Sequence, residues 1–180
     1  MTEERIIISG FGGQGVLMIG KLLAQAGMTE GKHVTWLPSY GPEMRGGTAN
    51  CNVILSDEII GAPIVSEATC LIAMNLPSLD KFEYSVQPGG CILLNSSLIP
   101  RSTVRSDLQV LAIPVNEMAS RRGSPKVANV VMLGAWIALS KTVQPASVIA
   151  AIREVLGSKQ HLLTINLNAL HDGMEFASKE

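Results

Sequence analysis

The 180-residue chain is poor in aromatic side chains and in charge. Phe, Trp and Tyr make up 4% of it, and Asp, Glu, Lys and Arg only 16%, against about 25% charged residues in an average soluble domain. Basic and acidic residues nearly cancel, 14 against 15, for a net charge of −1. With no basic block and few rings for base stacking, nucleic-acid binding is unsupported. No run approaches the ~18 consecutive apolar residues of a membrane span. The charged start Met1-Thr2-Glu3-Glu4-Arg5 leads straight into a strand and does not read as a signal peptide, so the expected compartment is the cytoplasm.

Cysteine and histidine are also scarce. Cys51, Cys70 and Cys91 are widely spaced, odd in number and never in a C-x-x-C pair, which argues against a thiolate-held iron–sulfur cluster or structural zinc. Each lies in an apolar strand-like run and reads as a small buried hydrophobe. His33, His161 and His171 show no metal spacing, so no metal site is expected. There is no G-x-S-x-G, no H-E-x-x-H and no Walker sequence, and no catalytic residue stands out. What is abundant is apolar: 47% of the chain is hydrophobic, enough for a substantial core in one domain over residues 1–180. The thin charge fits either a compact domain or a surface covered by another chain.

The first structured stretch is the most informative. Arg5-Ile6-Ile7-Ile8-Ser9 is short and β-branched and predicts a buried strand. Gly10-Phe11-Gly12-Gly13-Gln14-Gly15 follows. From Val16 to Gly31 the spacing turns helical, with Val16, Ile19, Leu22, Leu23 and Ala26 on one face. This is a G-x-G-x-x-G element between strand and helix, where backbone N–H groups and the helix start suit an anionic group. Gly10, Gly12, Gly13, Gln14 and Gly15 are therefore candidate phosphate contacts. Close helix–strand packing with no ligand explains the same glycines equally well.

A dinucleotide site demands an acid roughly 20 residues on, at the end of the second strand. That strand, Lys32 to Leu37, is expected to end at Pro38, and Ser39 comes next; the nearest acid is Glu43 in the following loop. This counts against NAD and FAD. The loop Ser39 to Gly47 is itself unusual, gathering Tyr40, Glu43, Met44 and Arg45 among glycines and a proline. Tyr, Met and Arg are interface-anchor types, and the Arg45 donor fork suits a carboxylate or phosphate, although a solvated arginine on a loop is as common.

Downstream, Thr48 to Ser56 alternates as a strand with one polar face, and its direction stays open. Ile59 to Val65, broken by Gly61 and Pro63, reads as a turn with a short strand. Three clearer strands are Cys70–Met74, Gly90–Leu94 and Val110–Ile113. Polar residues follow them: Asn75 before a helix through Phe82, Asn95, and Asn116 as the N-cap of a helix over Glu117–Arg122. Such positions hold ligands in open α/β sheets, but caps and turns account for them more economically. Lys126 to Lys141 is a nearly all-apolar helix, central or against a partner. Helices over Pro145–Leu156, stopped by Gly157, and Leu162–Ala177 complete the chain. The fold class is α/β: three layers, a mostly parallel or mixed sheet, and a Rossmann-like first βαβ unit.

With both glycine loops in view, the chain resembles the gamma subunit of 2-oxoacid:ferredoxin oxidoreductases. The resemblance rests on Gly10 to Val16 and on Ser39-Tyr40-Gly41-Pro42-Glu43-Met44-Arg45-Gly46-Gly47-Thr48. Ile72-Ala73-Met74-Asn75, Pro88-Gly89-Gly90, Asn129 and Leu133-Gly134 extend it over nearly the whole chain. The second loop is most similar to the 2-oxoglutarate branch, with the branched-chain branch close and the indolepyruvate branch less so. Family enzymes oxidatively decarboxylate a 2-oxoacid, pass the acyl group to coenzyme A and reduce ferredoxin. The resemblance implies thiamine diphosphate, Mg2+ and iron–sulfur clusters in partner subunits and none on this chain. It also implies alpha and beta partners (with delta where present), coenzyme A as a substrate of the complex, and ferredoxin met through the complex. For this chain it implies assembly, with Ser39, Tyr40, Glu43, Met44 and Arg45 at an interface. Gly10 to Gly15 and Arg45 are the residues to test for shaping the coenzyme A approach.

Overall fold

The computed structural model describes residues 3–39, 48–157 and 159–180. A six-stranded sheet runs β2-β3-β1-β4-β5-β6. Its strands are β1 (Glu3–Phe11), β2 (His33–Ser39), β3 (Thr48–Ser56), β4 (Ala68–Ala73), β5 (Val86–Asn95) and β6 (Gln109–Ile113). β1, β4, β5 and β6 pair in parallel, while β3 lies antiparallel between β1 and β2. The sheet is thus mixed. β1 and β2 keep the common direction of a βαβ unit, but β3 is wedged between them. Because β1 is central and covered on both faces, its run Ile6-Ile7-Ile8 is continuous rather than alternating. Ile6 and Ile8 enter one core and Ile7 the other.

The two faces are unequal. One carries α1 (Val16–Thr29), α3 (Val115–Arg121), α4 (Ala128–Ser140), α5 (Pro145–Leu156) and α6 (Gln160–Ala177). α4 is the central helix of this side, buried from Ala128 to Ile137. It meets α6 backbone to backbone: a Cβ built on Gly134 would lie 2.1 Å from the Leu170 carbonyl oxygen, and one on Gly173 1.9 Å from that of Val131. Among the described residues, the opposite face carries α2 (Leu76–Phe82) and the segments 57–67 and 96–108, which contribute Val65 and Ile99 to the second core. The buried Glu83 carboxylate pins this thin side. It accepts from Thr103 Oγ1 at 2.7 Å and Arg101 Nη2 at 3.1 Å.

Several boundaries differ from the sequence expectation. Pro38 does not end β2; it sits inside the strand, tolerated because β2 is a sheet edge. No strand forms over 57–67, where Gly61 and Pro63 break the chain and Ile59 is 84% exposed. Asn116 is not an N-cap, since α3 begins at Val115 with Pro114 in the cap position. A 3-10 turn, Pro125–Val127, precedes α4. Among the described residues no helix is long and apolar enough to cross a membrane.

Candidate functional site

After β1 the chain goes outward to β2 and returns through β3, and β4 then adds on the other side of β1. The carboxyl ends of β1 and β4 therefore flank a topological switch point, the crevice where open α/β sheets receive ligands. The first glycine loop sits there. Phe11, Gly12 and Gly13 are exposed, and Gln14 and Gly15 half-buried. Gly15 is the residue before α1, with φ 73°, and no side chain caps that helix start.

Gln14 bridges the crevice. Its Oε1 accepts the Phe11 amide at 2.6 Å and Asn75 Nδ2 at 3.0 Å, and its Nε2 donates to the Met74 carbonyl at 3.1 Å. Asn75 also caps α2, accepting the Ser78 amide at 2.9 Å. The same Met74 carbonyl accepts Asn95 Nδ2 at 3.1 Å, which also reaches Asn116 Oδ1 at 2.9 Å. Below them the buried Ser9 and Ser78 hydroxyls bond at 2.9 Å. On the far side, Asn129 at the start of α4 donates to the Gly15 carbonyl at 3.3 Å. The polar residues that follow three strand ends are thus one connected set.

The glycines answer to both of the readings their sequence allows. A Cβ on Gly10 would meet Gln14 Oε1 at 2.7 Å and both Met74 and Val16 at 2.9 Å; one on Gly15 would meet Asn129 Nδ2 at 2.4 Å. Those two positions are demanded by packing. Gly13 differs: its φ is 95° and none of the described residues lies within 4 Å of a Cβ there. Beside Gly15 and Asn129 opens an apolar groove of about 280 Å³ between α1, α4, α5 and α6, with Leu22, Val155, Ile165 and Lys126 among its lining residues.

The second loop joins the same edge of the sheet. Its described ends are Ser39, the exposed last residue of β2, and Thr48, which pairs with Phe11 in the β1–β3 register. Tyr40, Glu43, Met44 and Arg45 lie outside the described residues. β2 ends on Leu37-Pro38-Ser39, so its tip supplies no carboxylate for a ribose. The crevice residues described above are amides, hydroxyls and glycines; none titrates near neutral pH. Such a set can bind and orient a ligand, but it holds no group for general acid–base chemistry.

Asp172-Gly173 lies within α6, with Asp172 held by Arg122 at 2.5 and 2.6 Å and Gly173 packed on Val131, so it is no metal-binding turn. Among the described residues no three His, Cys, Asp or Glu side chains gather as a metal site requires. Sequence reasoning missed Ser9 and Ser78 and the bridging role of Gln14. The available signal was a polar residue, Ser9, at the end of an otherwise apolar central strand.

Comparison with known proteins supplies the context. Residues 5–176 match the family described as pyruvate ferredoxin/flavodoxin oxidoreductase. A ketoisovalerate oxidoreductase subunit, VorA, of Methanothermobacter marburgensis is 42% identical over 98% of this chain but only 37% of its own length. This chain thus spans about a third of that relative. A 2-oxoglutarate synthase subunit, KorC, of Methanocaldococcus jannaschii is 33% identical, covering 98% of this chain and 95% of its own. The crystal structure of a keto/oxoacid ferredoxin oxidoreductase gamma subunit from Geobacter sulfurreducens superposes with a TM-score of 0.85 at 30% identity, over 98% of this chain and 99% of that one.

Proposed function

This chain belongs to the pyruvate ferredoxin/flavodoxin oxidoreductase family, and from that premise we propose that it is the gamma subunit of a multi-subunit 2-oxoacid:ferredoxin oxidoreductase. In this reading it works in the cytoplasm as one domain, bound to alpha and beta subunits and to delta where one is present. Thiamine diphosphate, Mg2+ and the iron–sulfur clusters sit in those partners. The assembled enzyme decarboxylates a 2-oxoacid, transfers the acyl group to coenzyme A and delivers two electrons to ferredoxin.

The observation that supports the reading is the switch-point crevice, whose described residues are amides, hydroxyls and glycines with no group that could transfer a proton or an electron. We assign it the phosphate end of coenzyme A. The exposed Gly12-Gly13 turn and the uncapped start of α1 suit an anion, and the neighbouring apolar groove with Lys126 suits the rest of an amphipathic thioester carrier. Arg45, on the loop anchored beside Phe11, is the proposed side-chain donor. Ser39, Tyr40, Glu43 and Met44 are proposed to face a partner. The thin face is proposed as a second contact surface, since it leaves the large apolar side chains of Ile59, Ile64 and Tyr84 84%, 69% and 71% exposed.

Two observations compete over the 2-oxoacid. The Tyr40 to Arg45 loop resembles the 2-oxoglutarate branch, while the higher identity, 42% against 33%, is to a ketoisovalerate subunit. Steady-state kcat/KM of the purified complex for the two acids decides between them. The role of the chain is tested by reconstitution. Companion subunits with this chain turn over and co-purify with it, the chain alone does neither, and an Arg45→Ala complex shows a raised KM for coenzyme A. Turnover by the isolated chain, or tight dinucleotide binding to it, overturns the proposal in favour of a stand-alone oxidoreductase.

A further inference from the structure

Far from the crevice, two cysteines that the proposed function leaves unused stand side by side. Cys70 on β4 and Cys91 on β5 are direct partners in the parallel register, so their side chains leave the same face of the sheet. Both belong to the core under α4, Cys70 fully buried and Cys91 at its margin. Neighbouring strands run about 4.8 Å apart, within the roughly 4.4–6.8 Å between Cα atoms that a disulfide bridges. Cys91 lines an open groove of about 610 Å³ together with Glu4, Thr69, Trp136, Leu139 and Ser140. Cys91 is thus partly exposed beside this groove, while its register partner Cys70 is buried.

The two thiols are also chemically unequal. Burial pushes the Cys70 thiol well up and keeps it protonated. Its register partner Cys91 has its own pKa drawn down by the neighbouring Cys70 thiol, against the opposing effects of partial burial and of Glu4. An accessible sulfur with more thiolate character and a protonated thiol beside it is the arrangement of an attacking and a resolving cysteine. Cys51, on β3, has neither property: it is buried, its thiol is pushed up to about 12, and its Sγ bonds to the Val16 carbonyl at 3.6 Å.

We infer that Cys70 and Cys91 form a peroxide-reactive dithiol, in which Cys91 is oxidised first and Cys70 closes the bond. The Cys91 thiolate attacks hydrogen peroxide; an S–O bond forms, the O–O bond breaks, and hydroxide leaves to take up a proton as water. The Cys70 thiol then gives up its proton and its sulfur attacks the Cys91 sulfenic acid. The S–S bond forms as the S–O bond breaks, releasing a second water. In total two thiols lose two electrons to one peroxide, which becomes two waters. The product staples β4 to β5 at the floor of the groove.

The test is peptide mapping of the full-length chain after a few equivalents of hydrogen peroxide and alkylation of the remaining thiols. Cleavage after Glu67 and Lys81 separates all three cysteines. The expected product is a linked Cys70–Cys91 peptide pair with Cys51 recovered as a free thiol. Cys91→Ser slows peroxide-dependent thiol loss at least tenfold. Cys70→Ser leaves a Cys91 sulfenic acid that a 1,3-dione reagent traps, and Cys51→Ser changes neither result. Oxidation of Cys91 no faster than that of Cys51, or its progress to sulfinic acid with no linked peptide from the unaltered chain, overturns the inference. The mapping on the unaltered chain stands even if a serine variant folds poorly.

Discussion

The switch-point crevice and the α4–α6 seam are both built on glycine, yet they ask different things of it. At the seam, the atoms that a Cβ on Gly134 or Gly173 would strike first belong to backbone, the carbonyls of Leu170 and Val131. Backbone inside a helix cannot step aside. At the crevice, the atoms nearest a Cβ on Gly10 or Gly15 belong mostly to side chains, those of Gln14, Met74, Val16 and Asn129. Side chains can rotate, and those around the loop carry donors and acceptors that bridge three strand ends. A clash with helix backbone cannot be relieved, whereas a clash with a side chain is relieved in part when that side chain is truncated.

The largest effect is expected from Gly173→Ala. The account predicts at least about 3 kcal/mol of lost stability, because the new methyl overpacks a contact that cannot relax. That corresponds to a fall in Tm of roughly 6–12 °C for a domain of this size. A loss under 1 kcal/mol in thermal or urea unfolding would contradict it. No truncation of a neighbouring side chain restores the loss.

Next in size is Glu83→Gln on the thin face, expected to cost about 2 kcal/mol by weakening hydrogen bonds to a buried charge. Burial alone raises the Glu83 carboxyl, but bonds from Thr103, Arg101 and the Val104 amide, with the Arg101 charge, outweigh it and hold it below the usual carboxylate range. A folded pKa below the unfolded one stabilises the protein above the unfolded value, about 4.3, and the effect is lost as pH falls through the folded value. The unaltered chain should therefore lose stability on acidification below about pH 4.3 more steeply than Glu83→Gln. The described crevice residues carry no titrating group, so a Gln14→Ala chain keeps the unaltered pH slope.

Gly15→Ala sits lower, at about 1–2 kcal/mol from its left-handed φ and the Asn129 contact. Here a second substitution separates the regions: Gly15→Ala with Asn129→Ala recovers part of the loss, measured as a double-mutant cycle in urea. Smallest is Ile64→Asp, whose side chain is 69% exposed. It changes the stability of the isolated chain by less than about 0.5 kcal/mol while weakening co-purification with companion subunits.

Much of this was legible beforehand. The β1–loop–α1 unit, the three parallel strands after it and the apolar α4 follow from periodicity and punctuation, because each is local. The wedging of β3 between β1 and β2 was not legible, since alternation reports a half-buried strand but not its neighbours. Pro38 misled for the same reason: only a known edge position permits it. The seam glycines escaped notice because Gly134 and Gly173 lie in ordinary helical patterns, and what they touch is 36 to 42 residues away in sequence. In the site, Gly10 to Gly15 were identifiable from spacing, while the role of Gln14 as the bridge to Met74 and Asn75 depends on β4 lying beside β1.

The central claim is that the exposed part of the glycine loop receives the anionic end of coenzyme A in the assembled enzyme. Gly13→Ala probes it, since the added methyl meets no described residue within 4 Å; because a φ of 95° strains any side chain, urea unfolding of the variant is measured beside its kinetics. In the purified complex, the account predicts a KM for coenzyme A raised at least about fivefold, roughly 1 kcal/mol of binding, with the KM for the 2-oxoacid unchanged. An unchanged KM for coenzyme A in an intact Gly13→Ala complex would contradict it.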